Sequence, residues 1–252
     1  MMKVTVEQNA RSLGVAAGKA AAALIKAAIQ EKGQANIILG TGASQFETLK
    51  QLTASKDIEW HKVVMFHLDE YIGLPVTHPA SFRKYLKERF LDQVSLLKAY
   101  HLIDGNADPV LECMRLGYLI ASHPIDVALA GIGENGHLAF NDPPADFETT
   151  KSYVIAHLDE ACRKQQLGEG WFKSIEEVPT TAISMSVQQL MKSKHIICSV
   201  PDLRKARAVR DSFEQPVSNM VPASILRNHP DCRFFLDIFS ISMLSKEASS
   251  YR

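Results

Sequence analysis

The stretch "GENGHLAFNDP", residues 133–143, places a histidine and a carboxylate, His137 and Asp142, in a glycine-rich turn directly after the apolar run "IDVALAGI". Histidine has the side-chain pKa nearest neutrality, so His137 can both accept and donate a proton under physiological conditions. Asp142 can orient that imidazole and stabilise its charged form. Gly131, Gly133 and Gly136 allow sharp turning and bring backbone N–H groups near a ligand. A metal site is not indicated, because only two ligand types cluster and no ligand spacing is recognisable.

Three other segments carry groups suited to the same kind of chemistry. In "LGTGASQ", residues 39–45, Thr41, Gly42, Ala43 and Ser44 precede a helix whose free N–H groups and dipole favour an anion, most naturally a phosphate. It is neither a Walker loop nor a dinucleotide fingerprint. In "FHLDEYIGLPVTHPAS", residues 66–81, Asp69 and Glu70 follow an apolar strand, where an open carboxylate can serve as a general base; Tyr71 adds a hydroxyl and an aromatic face. Arg163 in "DEACRKQQ" and Lys205 in "PDLRKARAV" are cations at helix starts that can supplement a phosphate site. Each pattern alone also fits an ordinary turn or a solvated helix face.

The elements that must position these groups alternate along the chain. An Ala-rich helix is expected over about residues 7–31, then a strand at "ANIILG", a helix at "SQFETLKQLTA" with Ser44 as its N-cap, a strand at "HKVVMFHL" and a helix at "PASFRKYLKERFL". Further on, "PVLECMRLGYLIAS" reads as a helix, and "IDVALAGI", "SYVIAH" and "KHIICSV" as strands. "DLRKARAVRDSF" reads as a helix, "PASIL" as a helical turn and "RFFLDIF" as a strand. Strands separated by helices imply an α/β fold, a doubly wound, mostly parallel, Rossmann-like sheet with helices on both faces. No repeat or Pro/Gly/Ser-rich linker divides the chain, so one domain over 1–252 is expected. Ligands in such sheets bind beyond the C-terminal strand ends, where the strand order switches.

Composition narrows the class. With 46% hydrophobic and 22% charged residues the chain is an ordinary globular protein. Its 28 basic and 28 acidic residues balance, which gives no global field to attract nucleic acid or an anionic membrane. Cys113, Cys162, Cys198 and Cys232 form no C-x-x-C pair and read as reduced thiols of a cytoplasmic protein. Lys19 and Lys26 interrupt the most apolar early stretch, which argues against a membrane span.

Taken together, "LGTGAS", "LDEYIGLP…HPAS", "GIGENGHLAFNDP", "PTTAISMSV" and "KARAV…PASIL…H" resemble the glucosamine-6-phosphate deaminase/isomerase family, in its order and at about its spacing, from about residue 30 to 238. The related 6-phosphogluconolactonases share the fold and a Gly-His turn, but "LAFNDP" and "LDEY" are deaminase-like. The resemblance implies conversion of a 2-amino-2-deoxyhexose 6-phosphate and water into a ketohexose 6-phosphate and ammonia, with no metal or organic cofactor. Asp69 would be the enolisation base and His137 the ring-opening acid/base, with Asp142 and Asn135 as polar supports. The phosphate would lie on Thr41, Gly42, Ala43 and Ser44 and be clamped by Arg163 and Lys205; Tyr71 and Gly136 complete the substrate-binding set. Some family members carry Asp in place of Asn135. The family usually has Glu at position 142, and Asp reaches about 1.5 Å less far unless the backbone shifts, a displacement worth on the order of 100-fold in rate.

The better-known allosteric hexamers extend further at the C-terminus, so activation by an N-acetylated sugar phosphate is not expected; a homo-oligomer stays open. Competing readings are a galactosamine-6-phosphate deaminase/isomerase, a 6-phosphogluconolactonase and a non-catalytic sugar-phosphate sensor. The sensor would normally carry a DNA-binding segment, whereas the roughly 35 residues before the first expected strand read as one Ala-rich helix.

Overall fold

Four runs lack any polar alternation, "ANIIL", "VVMFH", "VALA" and "HIICSV", as strands covered on both faces require. A computed structural model describes residues 2–245. In chain order its elements are β1 (Lys3–Glu7), α1 (Ala10–Lys32), β2 (Ala35–Leu39), α2 (Phe46–Thr53), β3 (Val63–His67), β4 (Asp69–Tyr71), α3 (Phe82–Arg89), β5 (Ala99–His101) and α4 (Pro109–Ala121). Then follow β6 (Val127–Ala130), β7 (Tyr153–His157), α5 (Glu160–Gly168), β8 (Thr181–Met185), α6 (Val187–Met191), β9 (His195–Val200), α7 (Ala206–Glu214) and β10 (Cys232–Asp237).

Seven strands form one sheet in the order β1-β10-β9-β6-β2-β3-β5, every pair parallel. Alternate residues serve opposite faces. Ile37 and Leu39 of β2 pack with Leu13, Ala17 and Ile25 of α1, Leu49 of α2 and Leu86 of α3. Ile38, between them, packs on the face covered by Leu116 of α4, Leu190 of α6 and Val209 of α7. From β2 the order runs outward to β3 and β5; from its other neighbour, β6, it runs to β9, β10 and β1. The β2–β6 boundary is therefore the topological switch point, and the turns after these two strands are "GTGAS" and "GIGENGH".

Helix α1 is opened by Asn9 in a capping box with Ser12 and stopped by Gly33 at φ 79°. Among the described residues it is the one helix long and apolar enough to span a membrane, but Leu13, Ala17, Ala21, Ile25 and Ile29 are buried within the fold. Gly14 and Gly18 lie on its α2 side, where a Cβ would strike the Glu47–Thr48 backbone and Gln51, so the two helices cross closely.

The structure departs from the sequence-based expectation at five places. The first strand is β1, ahead of the Ala-rich helix, and β5 is a further strand; both are edge strands whose exposed and half-exposed positions break the apolar pattern. Strand β8 and the short helix α6, in "TAISMSVQQLM", are also elements the sequence reading does not give. Ser44 is not an N-cap: it lies inside a 3-10 turn, Ala43–Gln45, capped by Gly42, and α2 starts at Phe46. Asp69 and Glu70, expected only to follow the β3 strand, lie in a strand of their own, β4, which pairs antiparallel with β8. The strand at "SYVIAH" is β7, and it joins β4 and β8 in a separate three-stranded antiparallel sheet rather than the parallel one. The C-terminal stretch 246–252, part of the segment on which the expectation about allosteric activation rests, lies outside the described residues.

Candidate active site

One pocket opens at the C-terminal ends of β2, β3, β6 and β9. Its wall takes Gly40–Ser44 from the turn after β2, Leu68 and Asp69 after β3, Gly131–Gly133 and His137 after β6, and Pro201, Asp202, Arg204 and Lys205 after β9. Helix α5 and its C-cap close another side with Gln165, Gln166 and Glu169. The two switch-point turns are stitched together. Gly40 N donates to Leu129 O (2.8 Å), and Gln45 Nε2 donates to Ala130 O (3.0 Å) and to Ser44 Oγ (3.2 Å).

Asp69 is buried at the pocket wall, and its Oδ1 accepts no hydrogen bond from another described residue. Burial pushes its carboxyl up to about 8, the neighbouring Glu70 charge adds to this, and a hydrogen bond from Thr41 pulls the other way. A carboxyl poised there can take a proton from a weak carbon acid and also return it. Glu70, the adjacent carboxylate, is spent on structure: it accepts from Tyr71 N, Ser81 Oγ, Phe82 N and Arg83 N at 2.8–3.1 Å, and Arg83 Nε lies 3.3 Å away.

His137 sits with Nδ1 2.9 Å from Asp142 Oδ1, an ion-pair approach bent away from linear hydrogen-bond alignment. The shorter acidic side chain therefore does reach the imidazole, because the "AFNDP" backbone brings it there. Asn141 clamps that segment, its Nδ2 donating to Leu138 O (2.7 Å) and Met185 O (2.8 Å). Asp142 also accepts from Asn135 Nδ2 (3.0 Å) and Asp159 N (2.9 Å). Burial acts to raise its carboxyl, but His137, Asn135 and the Asp159 amide outweigh this and hold it below the usual carboxylate range. Asn135 completes the turn by accepting from His137 N (3.1 Å). Gly133 lies under the imidazole: a Cβ there would run into the ring of His137.

Lys205 is 8% exposed, and its ammonium makes no hydrogen bond or ion pair with another described residue. Burial holds it below the usual lysine range, although the charges of Glu134 and Glu169 draw it back up. The chain delivers it by a strained step: Asp202, at φ 89°, has its N–H held by Asp237 (3.1 and 3.2 Å) and caps the 3-10 turn Leu203–Lys205.

His137, Asp142 and Cys162 bring three potential ligand atoms within 4.8 Å of one another. Burial and the charge of Asp142 hold the Cys162 thiol far above its usual range, so it is a protonated partner of the carboxylate there.

Of the residues expected from sequence, Asp69, His137, Thr41, Gly42, Ala43, Ser44 and Lys205 line this pocket. Asn135 and Asp142 stand behind His137. Three expectations are corrected. Arg163 turns away, bonding the carbonyls of Ile175 and, at 3.1–3.2 Å, Val178; it fastens the following loop rather than a ligand. Tyr71 lies beneath the wall, packed on Phe82, Phe140 and Phe172 and donating to Gln166 Oε1 (2.7 Å). Gly136, at φ 84°, faces a different groove and accepts from Ala223 N (2.9 Å) through its carbonyl. Sequence reading missed Gln165, Gln166 and Glu169. In "CRKQQ" the charged residues mark a candidate anion site, yet it is the uncharged pair just beyond them that lines the pocket.

The fold and site are those of an α/β protein with a parallel sheet, whose switch-point pocket holds a buried carboxyl, a histidine beside a carboxylate and a buried ammonium. The chain belongs to the family described as glucosamine-6-phosphate isomerases/6-phosphogluconolactonase, whose profile matches residues 8–234. It is similar to glucosamine-6-phosphate deaminases of Lactobacillus delbrueckii subsp. bulgaricus, at 35% identity over 96% of this chain and 100% of that one. A second relative of that name, from Exiguobacterium sibiricum, is 37% identical over 83% and 81%. A solved monomeric glucosamine-6-phosphate deaminase superposes with a TM-score of 0.86 at 32% identity, covering 96% of this chain and all of that one. The 6-phosphogluconolactonase of Trypanosoma brucei shares the fold alone, with a TM-score of 0.79 at 17% identity.

Proposed function

We propose that this enzyme converts glucosamine 6-phosphate and water into fructose 6-phosphate and ammonia, acting in the cytoplasm. The observation that carries the reading is the convergence of Asp69, His137 and the unpaired ammonium of Lys205 on one pocket at the switch point. Lys205 and the hydroxyls and amides of Thr41–Ser44 take the 6-phosphate, an ion that a buried lone cation and free N–H groups both favour.

His137 gives a proton to the ring oxygen as the C1–ring oxygen bond breaks, and takes up the C1 hydroxyl proton as the C1 carbonyl forms, with Asp142 stabilising the charge that passes through the imidazole. Asp69, ionised, removes the C2 proton. The C2–H electron pair becomes a C1–C2 double bond while the C1 carbonyl oxygen takes up the proton that His137 holds after ring opening. Asp69 then returns its proton to C1, the nitrogen lone pair forms a C2 iminium, and water adds at C2 to release ammonia and leave the ketone. No step calls for a residue beyond those at the pocket.

The test is the release of ammonia and fructose 6-phosphate from glucosamine 6-phosphate, with galactosamine 6-phosphate run in parallel. Equal amounts of both products from the gluco epimer are expected. Asp69→Asn should abolish turnover while retaining sugar-phosphate binding, and Lys205→Ala should raise KM about 10- to 100-fold. Absence of ammonia from both epimers overturns the reading.

A further inference from the structure

The wall contributed by α5 has no role in the chemistry above, yet it is tied to the catalytic turn. Asp159, the N-cap of α5, accepts from Cys162 N (2.6 Å) and from Asn135 Nδ2 (3.2 Å), and its own N–H donates to Asp142 (2.9 Å). The helix start and the His137 turn therefore form one hydrogen-bonded unit.

On this helix Gln166 lines the pocket and is 5% exposed. Its Oε1 is taken by the hydroxyl of Tyr71 at 2.7 Å. Tyr71 is fully buried among Phe82, Phe140 and Phe172, so its phenol needs an acceptor and has this one. With the oxygen committed, the end of the amide left for the pocket is its NH₂, which makes no hydrogen bond with another described residue. Gln165, next to it, is also occupied: its Oε1 accepts from Glu134 N (2.7 Å) and its Nε2 donates to Glu169 (3.3 Å).

We propose that Gln166, oriented by Tyr71, determines specificity by donating its amide N–H to one hydroxyl oxygen on the C3–C4 part of the sugar chain. This rests on the substrate class proposed above. Such a group can donate but not accept, so it rewards an oxygen at one stereochemical position. A sugar lacking that oxygen leaves the donor buried and unpaired, and an enclosed polar site rejects such an analogue strongly. Tyr71 is a positioning residue, acting through Gln166.

The experiment compares kcat/KM, and calorimetric binding, for glucosamine 6-phosphate and its 3-deoxy and 4-deoxy analogues in the wild type, Gln166→Met and Tyr71→Phe. The wild type should discriminate against one deoxy analogue by about 10- to 100-fold. In Gln166→Met that ratio should collapse to about 1, with competitive inhibition by inorganic phosphate unchanged; in Tyr71→Phe it should fall part of the way. A merely structural role for Gln166 would lower all three sugars alike and keep the ratio, which would overturn the proposal. So would a wild type that treats the three alike. Failure of the deaminase reading is separate: no ammonia would be released from the parent sugar, while the binding comparison would still report on Gln166.

Discussion

At the residue scale, Asp69 and Glu70 are chemically alike neighbours with opposite fates. Glu70 is held by several donors, whereas Asp69, at the pocket wall, has an oxygen that no described donor satisfies. Because Asp69 must be ionised to take the C2 proton, kcat/KM should climb with pH and level off above an apparent pKa near 8, read from initial rates across pH 6–9.5. Its folded-state pKa lies above the unfolded value of about 3.9, so between those values the folded protein holds more protons than the unfolded chain, and stability falls as pH rises. Asp69→Asn should thus be more heat-resistant than the wild type at pH 8 and nearly equal to it at pH 4, at roughly 2–4 °C per kcal/mol for a chain of this size. Gly133 offers a second test. Ala there should displace the His137 ring and lower kcat by about 100-fold or more, while circular dichroism stays native.

At the element scale, the short antiparallel sheet explains why the acidic pair is split as it is. Strand β4 pairs with β8, and successive side chains point to opposite faces, so Asp69 and Glu70 cannot both face the pocket. Glu70 instead anchors the start of α3, where Arg83 also reaches Asp104 (2.6 Å) and Leu74 O (2.8 Å). Glu70→Ala would leave Arg83 and several amides buried without their acceptor. It should cost about 3–5 kcal/mol in urea unfolding, more than Asp69→Ala at the adjacent position. Helix α5 makes a parallel case for the cations. Arg163→Ala should loosen the loop that follows α5 and leave KM within about 2-fold, whereas Lys205→Ala raises it as stated above. Equal effects of the two on KM would restore Arg163 to the phosphate clamp.

At the scale of the whole molecule, β1 closes one edge of the parallel sheet against β10 although it begins the chain. Removing residues 1–8 should expose the β10 edge, lower the melting temperature and promote association, measurable by light scattering. A good part of the architecture was legible in the sequence. Strands covered on both faces are predominantly apolar without alternation, and β2, β3, β6 and β9 are; a glycine-rich turn after such a strand reads directly as "GTGAS" or "GENGH". Edge strands β1 and β5 were missed because exposed faces relax that constraint. Local pattern alone determined the α/β class, the two glycine-rich turns and the candidacy of Asp69, His137, Asp142 and Lys205, as it did that of Arg163 and Tyr71, since each depends on residue type at a fixed distance from an element; that the two turns lie at the switch point follows from the strand order. Only the tertiary structure decided which carboxylate of Asp69–Glu70 stays free, that Arg163 points away and that Asp142 reaches His137. Only it brought Gln166, nearly a hundred residues from Tyr71 in sequence, to that phenol. Those outcomes turn on where a side chain finds its partner across the fold, and hydrogen-bond partners distant in sequence leave no periodic trace in the chain.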